Sequence, residues 1–318
     1  MAFGLIIDSP FPLPEALPVK QDTPPDVTVT IGTAAEDYIA TDGFTYAREN
    51  RTWWYHATSY SRTLFNCQSG LFDIRGGNEI IIQLYPDADM ENVKIFLLGS
   101  AMGAVQAQRG RIPIHGGAVV TQNGAAIITG NQNAGKSTMT SAFVHNGYKY
   151  LTDDVSSISI EDGRVEIIPA YPQRKLVRDA CISLGYDPDG LILVDSERDK
   201  LAIRERDNWQ YTPIVLSAII ELYHETVENN VSAELVTGRE KLNTVFRNLY
   251  RSWMHTPGEG IEPADFKKML TIAAQADIYR VGVPRDIGRI TDFAQDIAIA
   301  LKLTPPEHTS DNGEKENC

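Results

Sequence analysis

The chain has 318 residues and a mass of 35.2 kDa, with 42 % hydrophobic and 22 % charged side chains, enough for one large or two moderate globular domains. Lys and Arg total 29 against 42 Asp and Glu, and the net charge of −13 argues against a nucleic-acid backbone as partner and toward small substrates or basic peptides. No run approaches the roughly 20 apolar residues of a membrane span, so no membrane partner is expected.

The first residues lack a basic region and are interrupted by prolines, so no signal peptide is expected. Cys67, Cys181 and Cys318 lie far apart without a CxxC pair, which makes a disulfide framework or structural zinc site improbable and a reducing cytoplasm the default. Residues 1–100 hold 6 basic and 13 acidic side chains. Pro10, Pro12, Pro14, Pro18, Pro24 and Pro25 exclude helix from the start, which is expected to wrap over the protein as extended chain. Short β-branched or alternating runs follow at 27–31, 52–55, 64–65, 71–74 and 80–84, separated by Asp42-Gly43, Gly76-Gly77 and Pro86-Asp87. They predict a small, mainly antiparallel β domain over 1–90. Val93, Phe96, Leu97, Met102 and Val105 have helical spacing and predict a linking helix over 91–110.

From Arg111 the texture changes. Strands at 119–121 and 125–129 flank Gln122-Asn123-Gly124, a hairpin signal. A glycine-rich turn leads to a helix over 136–146, a strand at 148–152 and a second hairpin, 157–160 with 164–169, turned by Glu161-Asp162-Gly163. A strand at 214–223, helices at 239–252 and 263–275, a strand at 277–283 and a helix at 287–301 complete an α/β domain with α+β character over 111–303. The polar tail 304–318 is expected to be disordered. There is no internal repeat.

Gly130-Asn131-Gln132-Asn133-Ala134-Gly135-Lys136-Ser137 matches G-x-x-x-x-G-K-[ST], and Thr138 continues it. The glycines let successive backbone N–H groups turn inward on phosphate oxygens, and the helix starting at Lys136 adds free donors and partial positive charge. Lys136 neutralises the β/γ-phosphates and the Ser137 hydroxyl is a ligand for Mg²⁺. A strand before and a helix after are the context the motif requires, so ATP or GTP binding is expected. No Asn-Lys-x-Asp base-recognition motif is present, which favours ATP. Downstream, Tyr148-Lys149-Tyr150-Leu151-Thr152 ends in two acids, Asp153-Asp154. Adjacent strand residues face opposite sides, so two acids near one phosphate require a strand end or bend. One of them would then hold Mg²⁺ and the other accept a proton from an attacking hydroxyl; the alternative is a helix cap or solvated turn. His115, one hairpin upstream and followed by Gly116-Gly117, is placed to reach the γ-phosphate. Arg174, Lys175 and Lys200 are cationic candidates for a phosphate or carboxylate, read as surface residues. Trp53-Trp54-Tyr55, Trp209 and Tyr211 are read as core aromatics.

Ile114-His115-Gly116-Gly117-Ala118-Val119, the Asn-Gly hairpin, Gly130–Thr138, Gly147-Tyr148 and Leu151-Thr152-Asp153-Asp154 together resemble the catalytic core of HPr kinase/phosphorylase and its relatives. The resemblance is strongest over 111–175, including Pro169-Ala170-Tyr171-Pro172, and extends weakly through 199–303 at Asp199-Lys200 and Val283-Pro284-Arg285-Asp286. Phe3-Gly4-Leu5, Ser9-Pro10 and Leu13-Pro14 resemble the start of the kinases encoded with lasso-peptide genes. The resemblance implies a P-loop kinase core that uses ATP and Mg²⁺ and transfers the γ-phosphoryl group to the C-terminal serine of a ribosomal precursor peptide. It implies Asp153 as proton acceptor, Asp154 with Ser137 at the metal, and His115 and Lys136 on the transferring group. The C-terminal loop that supports reversal in true HPr kinases is not evident, so no phosphorylase activity is expected. A small-molecule hydroxyl kinase and a non-catalytic ATP-binding assembly module are the competing readings, and the oligomeric state stays open.

Overall fold

A computed structural model describes residues 1–20, 22–34, 61–195, 198–226, 228–255 and 260–306, with 44–48 and 51–59 described as backbone strands. The N-terminal strands are β1 (Ile7–Asp8), β2 (Val27–Ile31), β3 (Phe44–Arg48), β4 (Arg51–Ser59), β5 (Arg62–Cys67), β6 (Gly70–Arg75) and β7 (Glu79–Leu84). Alternation sets their faces: Val27 and Val29 are buried between the more exposed Thr28 and Thr30, as a half-buried strand requires. They form one sheet in the order β1-β2-β7-β6-β5-β4-β3, antiparallel except that β2 runs parallel to both β1 and β7. The expected linking helix is α1 (Met90–Phe96) and α2 (Met102–Gln108) joined by a π turn, Leu97–Ala101. All five residues of that turn are buried, a run that one face of a regular helix does not accommodate.

The remaining elements are β8 (Ile112–Thr121), β9 (Gly124–Gly130), α3 (Lys136–His145), β10 (Tyr150–Thr152), β11 (Val155–Glu161), β12 (Arg164–Ile168), β13 (Gln173–Val177), α4 (Arg178–Ser183), β14 (Ile192–Asp195), β15 (Lys200–Arg204), β16 (Ile214–Glu225), β17 (Ser232–Leu235), α5 (Arg239–Arg247), α6 (Pro263–Gln275), β18 (Asp277–Pro284) and α7 (Ile290–Ala300). The protein is thus mixed α/β. Its second sheet runs β10-β8-β11-β12-β16-β18-β17, with β9 paired to both β8 and β16. Strands β9, β16 and β18 are parallel. Apolar residues fill both faces: Ala126, Ile128 and Ile220 meet Phe143 of α3 and Phe293 of α7, while Ile127 and Ile219 meet Val245 of α5 and Met269 and Ile272 of α6.

Several expectations change. A third sheet, β13-β15-β14, was not legible because Gln173-Arg174-Lys175 shows no apolar alternation. The helix expected over 239–252 stops at Arg247, where Asn248 caps it and Arg251 takes a positive φ of 46°. The boundary expected at residue 90 does not divide the core. Phe3, Val29, Phe72 and Ile80 share one apolar cluster with Leu97, Met102, Val155, Tyr171 and Tyr250. The N-terminal segment is tied to the later chain by Phe3 N–H to Ala170 C=O, 2.8 Å, and by Arg111 Nη1 to Phe3 C=O, 3.0 Å. Thr304, expected in the disordered tail, is hydrogen-bonded to Gln122 at the β8–β9 turn. Residues 307–318, the Asp42-Gly43 turn and the side chains of Trp53-Trp54-Tyr55 lie outside the described residues.

Within the first sheet Asp73 is fully buried and receives Arg62 Nε and Nη2 at 3.0 and 2.9 Å and Arg75 Nε at 3.0 Å. Burial alone would raise its pKa, but the two guanidinium groups hold the carboxyl below the usual range. A depressed carboxylate contributes stability that is present above the unfolded value of about 4 and lost as pH falls through the folded one. Asp73→Asn is therefore expected to cost about 2–3 kcal/mol at pH 7 in urea unfolding. The gap to wild type should narrow progressively below about pH 4.

Candidate functional site

The loop between β9 and α3 closes on one internal bond, Ala134 N–H to Asn131 C=O at 3.1 Å, and leaves the start of α3 open. Gly135 sits in the left-handed region at φ 87°, and α3 begins at Lys136 without a side-chain cap. Asn131, Gln132 and Asn133 are exposed. Asn133, a non-glycine at φ 66°, is steadied from outside the loop, its C=O accepting from His224 Nε2 at 2.8 Å. Lys136 folds back over the loop, donating from Nζ to the carbonyls of Gly130 and Asn131, both at 3.0 Å. Burial lowers the pKa of this lysine, with Asp154 working in the opposite direction. Uncapped amides at a helix N-terminus with an ammonium beside them form a phosphate seat.

His115 reaches this loop through a bend in β8. Ile112–His115 pairs with β11, whereas Gly116–Thr121 pairs with β9. Continued by one residue, the antiparallel register Gly116 to Thr129 brings His115 to the level of Gly130. A Cβ on Gly116 would stand 2.3 Å from Ile128 O, and one on Gly117 2.4 Å from Thr140 Oγ1 of α3, so neither position admits a side chain. The Gly116 N–H donates to Asp154 C=O at 3.0 Å, which brings the two acids to the same edge.

Asp153 and Asp154 occupy the bend between β10 and β11, as two neighbouring acids must if both are to lie near one site. Their surroundings differ. Asp154 has a side chain 32 % exposed; His115 Nε2 lies 3.4 Å from Oδ1 and Lys175 Nζ 3.3 Å from Oδ2. Burial would raise its pKa, but Lys175 and then His115 hold it well below the usual carboxylate range. Asp153 is 5 % exposed, takes the Lys175 main-chain N–H on Oδ2 at 2.9 Å, and is pushed up by burial despite Lys175. Its Oδ1 is buried beside a small cavity lined by Phe3, Thr152, Tyr171 and Gln173. So the more accessible of the two carboxylates, and the one held in its charged form, is Asp154.

The structure places His115, Asp153 and Asp154 at one edge, with Lys136 of the Gly130–Thr138 loop in electrostatic reach of Asp154. Asp153, read as the group receiving a substrate proton, is enclosed and turned to the backbone of Lys175. Arg174 and Lys175, read as surface residues, are 0 % and 7 % exposed. Arg174 packs over Tyr150 and bonds Tyr186 and Glu205 on the side away from the acids, whereas Lys175 lies on the acid pair. Strand alternation sends the two neighbours opposite ways, and nothing in the local sequence signals which one meets Asp154. Trp209 is core; Tyr211, expected there too, is 70 % exposed. His224 was also missed, because its partner is a loop carbonyl 91 residues away.

The donor set fits a nucleotide's phosphates. Among the described residues no cluster of three His, Cys, Asp or Glu side chains is arranged to hold a metal ion alone. Magnesium commonly binds through one or two protein oxygens, phosphates and water, a pattern that Ser137 and Asp154 match.

No family model matches the chain, and no curated protein matches it. Among solved structures, the HPr(Ser) kinase/phosphatase from Coxiella burnetii aligns with a TM-score of 0.31 and 13 % identity, over 60 % of this chain and 98 % of that one.

Because Lys175 is the main cation holding Asp154 in its charged form, Lys175→Met should move the Asp154 carboxyl titration upward. Carboxyl-carbon NMR of the two proteins, with Asp154→Asn to assign the signal, measures this directly; an unmoved titration would remove Lys175 from the electrostatics of the site.

Proposed function

We propose that the protein is an ATP-dependent kinase that transfers the γ-phosphoryl group to a serine hydroxyl. The observation that carries the reading is the partly exposed, charged carboxylate of Asp154, flanked by His115 and Lys175 and within electrostatic reach of Lys136 on the uncapped loop. Phosphoryl transfer is chiefly a matter of positioning and charge stabilisation, and these residues supply both. The loop amides and Lys136 hold the β- and γ-phosphates. Asp154 accepts the proton of the attacking hydroxyl, and His115 steadies the transferring group from the β8 side. Asp153 binds the β10–β11 bend to β13 and so keeps Lys175 beside Asp154. Mg²⁺, held by the Ser137 hydroxyl together with phosphate oxygens, would neutralise phosphate charge.

The acceptor we propose is the C-terminal serine of a ribosomal precursor peptide of the lasso type. Support comes from the order of His115, the phosphate loop and the paired acids, and from the resemblance of Phe3-Gly4-Leu5, Ser9-Pro10 and Leu13-Pro14 to the start of such kinases. Lys200, which interacts electrostatically with both acids and Lys136, is the cation offered to a terminal carboxylate.

Incubation of a precursor peptide with Mg-ATP, followed by mass spectrometry, should show a gain of one phosphoryl group or more. Lys136→Ala should abolish it with an unchanged far-UV CD spectrum. Asp154→Asn should lower turnover by about 10² or more with little change in nucleotide affinity. Asp153→Asn, which retains an oxygen for the Lys175 N–H, should cost less than about tenfold. The reverse ranking of the two acids would return the proton-accepting role to Asp153. A peptide ending in alanine should give no product, and C-terminal amidation should weaken turnover. Phosphorylation of free small alcohols but of no peptide would point instead to a small-molecule kinase.

A further inference from the structure

The kinase reading leaves one buried acid beside the phosphate loop unused. Glu221 ends an apolar stretch of β16 and lies opposite Thr129 in the parallel register with β9, one residue before Leu222 meets Gly130. It is 7 % exposed. Its carboxylate faces Arg247, whose Nε and Nη2 donate to the two oxygens at 2.6 Å each, and Asn248, whose Nδ2 donates to Oε1 at 2.8 Å. With both oxygens engaged by this fork and amide, Glu221 serves the end of α5 rather than a metal or phosphate.

That end of α5 leads to His115. Asn248 is 5 % exposed, and its Nδ2 also donates to Thr244 C=O at 2.8 Å. Its Oδ1 lies 3.0 Å from Thr129 Oγ1, a hydroxyl that is also 2.8 Å from His115 C=O. The Asn248 main-chain oxygen accepts the His115 N–H at 2.8 Å. The His115 N–H is thus held directly by Asn248, while its C=O shares the single Thr129 hydroxyl proton with Asn248 Oδ1, and the Asn248 amide is anchored on Glu221. The imidazole itself contacts Asp154 and stands edge-on to Tyr250 at 5.5 Å. Its place over the acid is set mainly by how its backbone is held, and a shift of about 1 Å in a reacting group is costly.

We infer that Asn248, clamped by Glu221 and Arg247, is the positioning residue that fixes His115 at the bend of β8 and thereby sets the imidazole against Asp154. The kinetic consequence rests on the kinase reading; the geometric one does not. Asn248 is 5 % exposed, and its loss is expected to act through His115.

The test uses the full chain with Asn248→Ala and, as the milder variant that keeps shape and removes only a hydroxyl, Thr129→Val. Histidine ring NMR, assigned with His115→Gln, should show the His115 resonances displaced in both variants while those of His145, at the far end of α3, stay in place. Phosphorylation kinetics should show kcat reduced about tenfold or more in Asn248→Ala and less in Thr129→Val, with KM for ATP changed less than twofold. An undisplaced His115 signal in folded Thr129→Val, or a rise in KM for ATP matching the fall in kcat, overturns the inference. If the wild-type protein neither phosphorylates the peptide nor consumes ATP, the kinase reading fails, and the His115 displacement alone decides whether Asn248 positions it.

Discussion

Strand β8 must serve two partners along its length, and most of the site follows from how it does so. Up to His115 it pairs with β11; from Gly116 onward it pairs with β9 and β10. The change of partner requires β8, β9 and α3 to approach closely at Gly116 and Gly117, where any side chain would collide with Ile128 or Thr140. The same bend turns the imidazole of His115 toward the β10–β11 turn, and the Gly116 N–H secures that turn through Asp154 C=O. Phosphate loop, histidine and paired acids, spread over some forty residues of chain, meet because one strand changes partners at one place.

Charge is distributed around that meeting point against the trend of the molecule. The chain is strongly acidic, yet Lys136, Lys175 and His115 surround the more accessible carboxylate at the bend. A polyanion such as a nucleoside triphosphate would be repelled by the average surface and accepted locally. Lys175 has two duties here, since its backbone N–H anchors Asp153 while its ammonium keeps Asp154 ionised. Its own pKa is held up, chiefly by Asp154 against the effect of burial. Because Lys175 is buried, loss of Asp154 would leave its ammonium uncompensated, which makes the pair a strict constraint on geometry.

The N-terminal region belongs to the same constraint. Phe3 stands beside Tyr171 and Asp153 and helps close the floor of the site, so water has little access to Asp153 from below. Arg204 of β15 donates to Glu15 at 3.3 Å and to Gln173, joining the proline-rich start to the small sheet that carries Lys175. Phe3 and Glu15 of the proline-rich start therefore contribute to the surroundings of the acids, and one apolar cluster runs across residue 90.

What the sequence determined by itself was whatever depends on neighbours in the chain. The Gly130–Ser137 cradle, α3, the Asp162-Gly163 hairpin turn and the limits of α6 are dictated by local backbone preference, glycine geometry and apolar period, and each was legible. The adjacency of His115 to the loop was legible too, because a two-residue hairpin fixes the register of the strands it joins. The third sheet, the burial of Arg174 and Lys175, and the unequal surroundings of Asp153 and Asp154 were not. They depend on contacts such as Lys175 with Asp154 or Asn248 with Thr129, made across 21 and 119 residues of chain. Two adjacent aspartates are identical as letters; only the tertiary structure encloses one and leaves the other partly exposed beside a cation, because desolvation and Coulomb attraction act through space and leave no trace in local spacing.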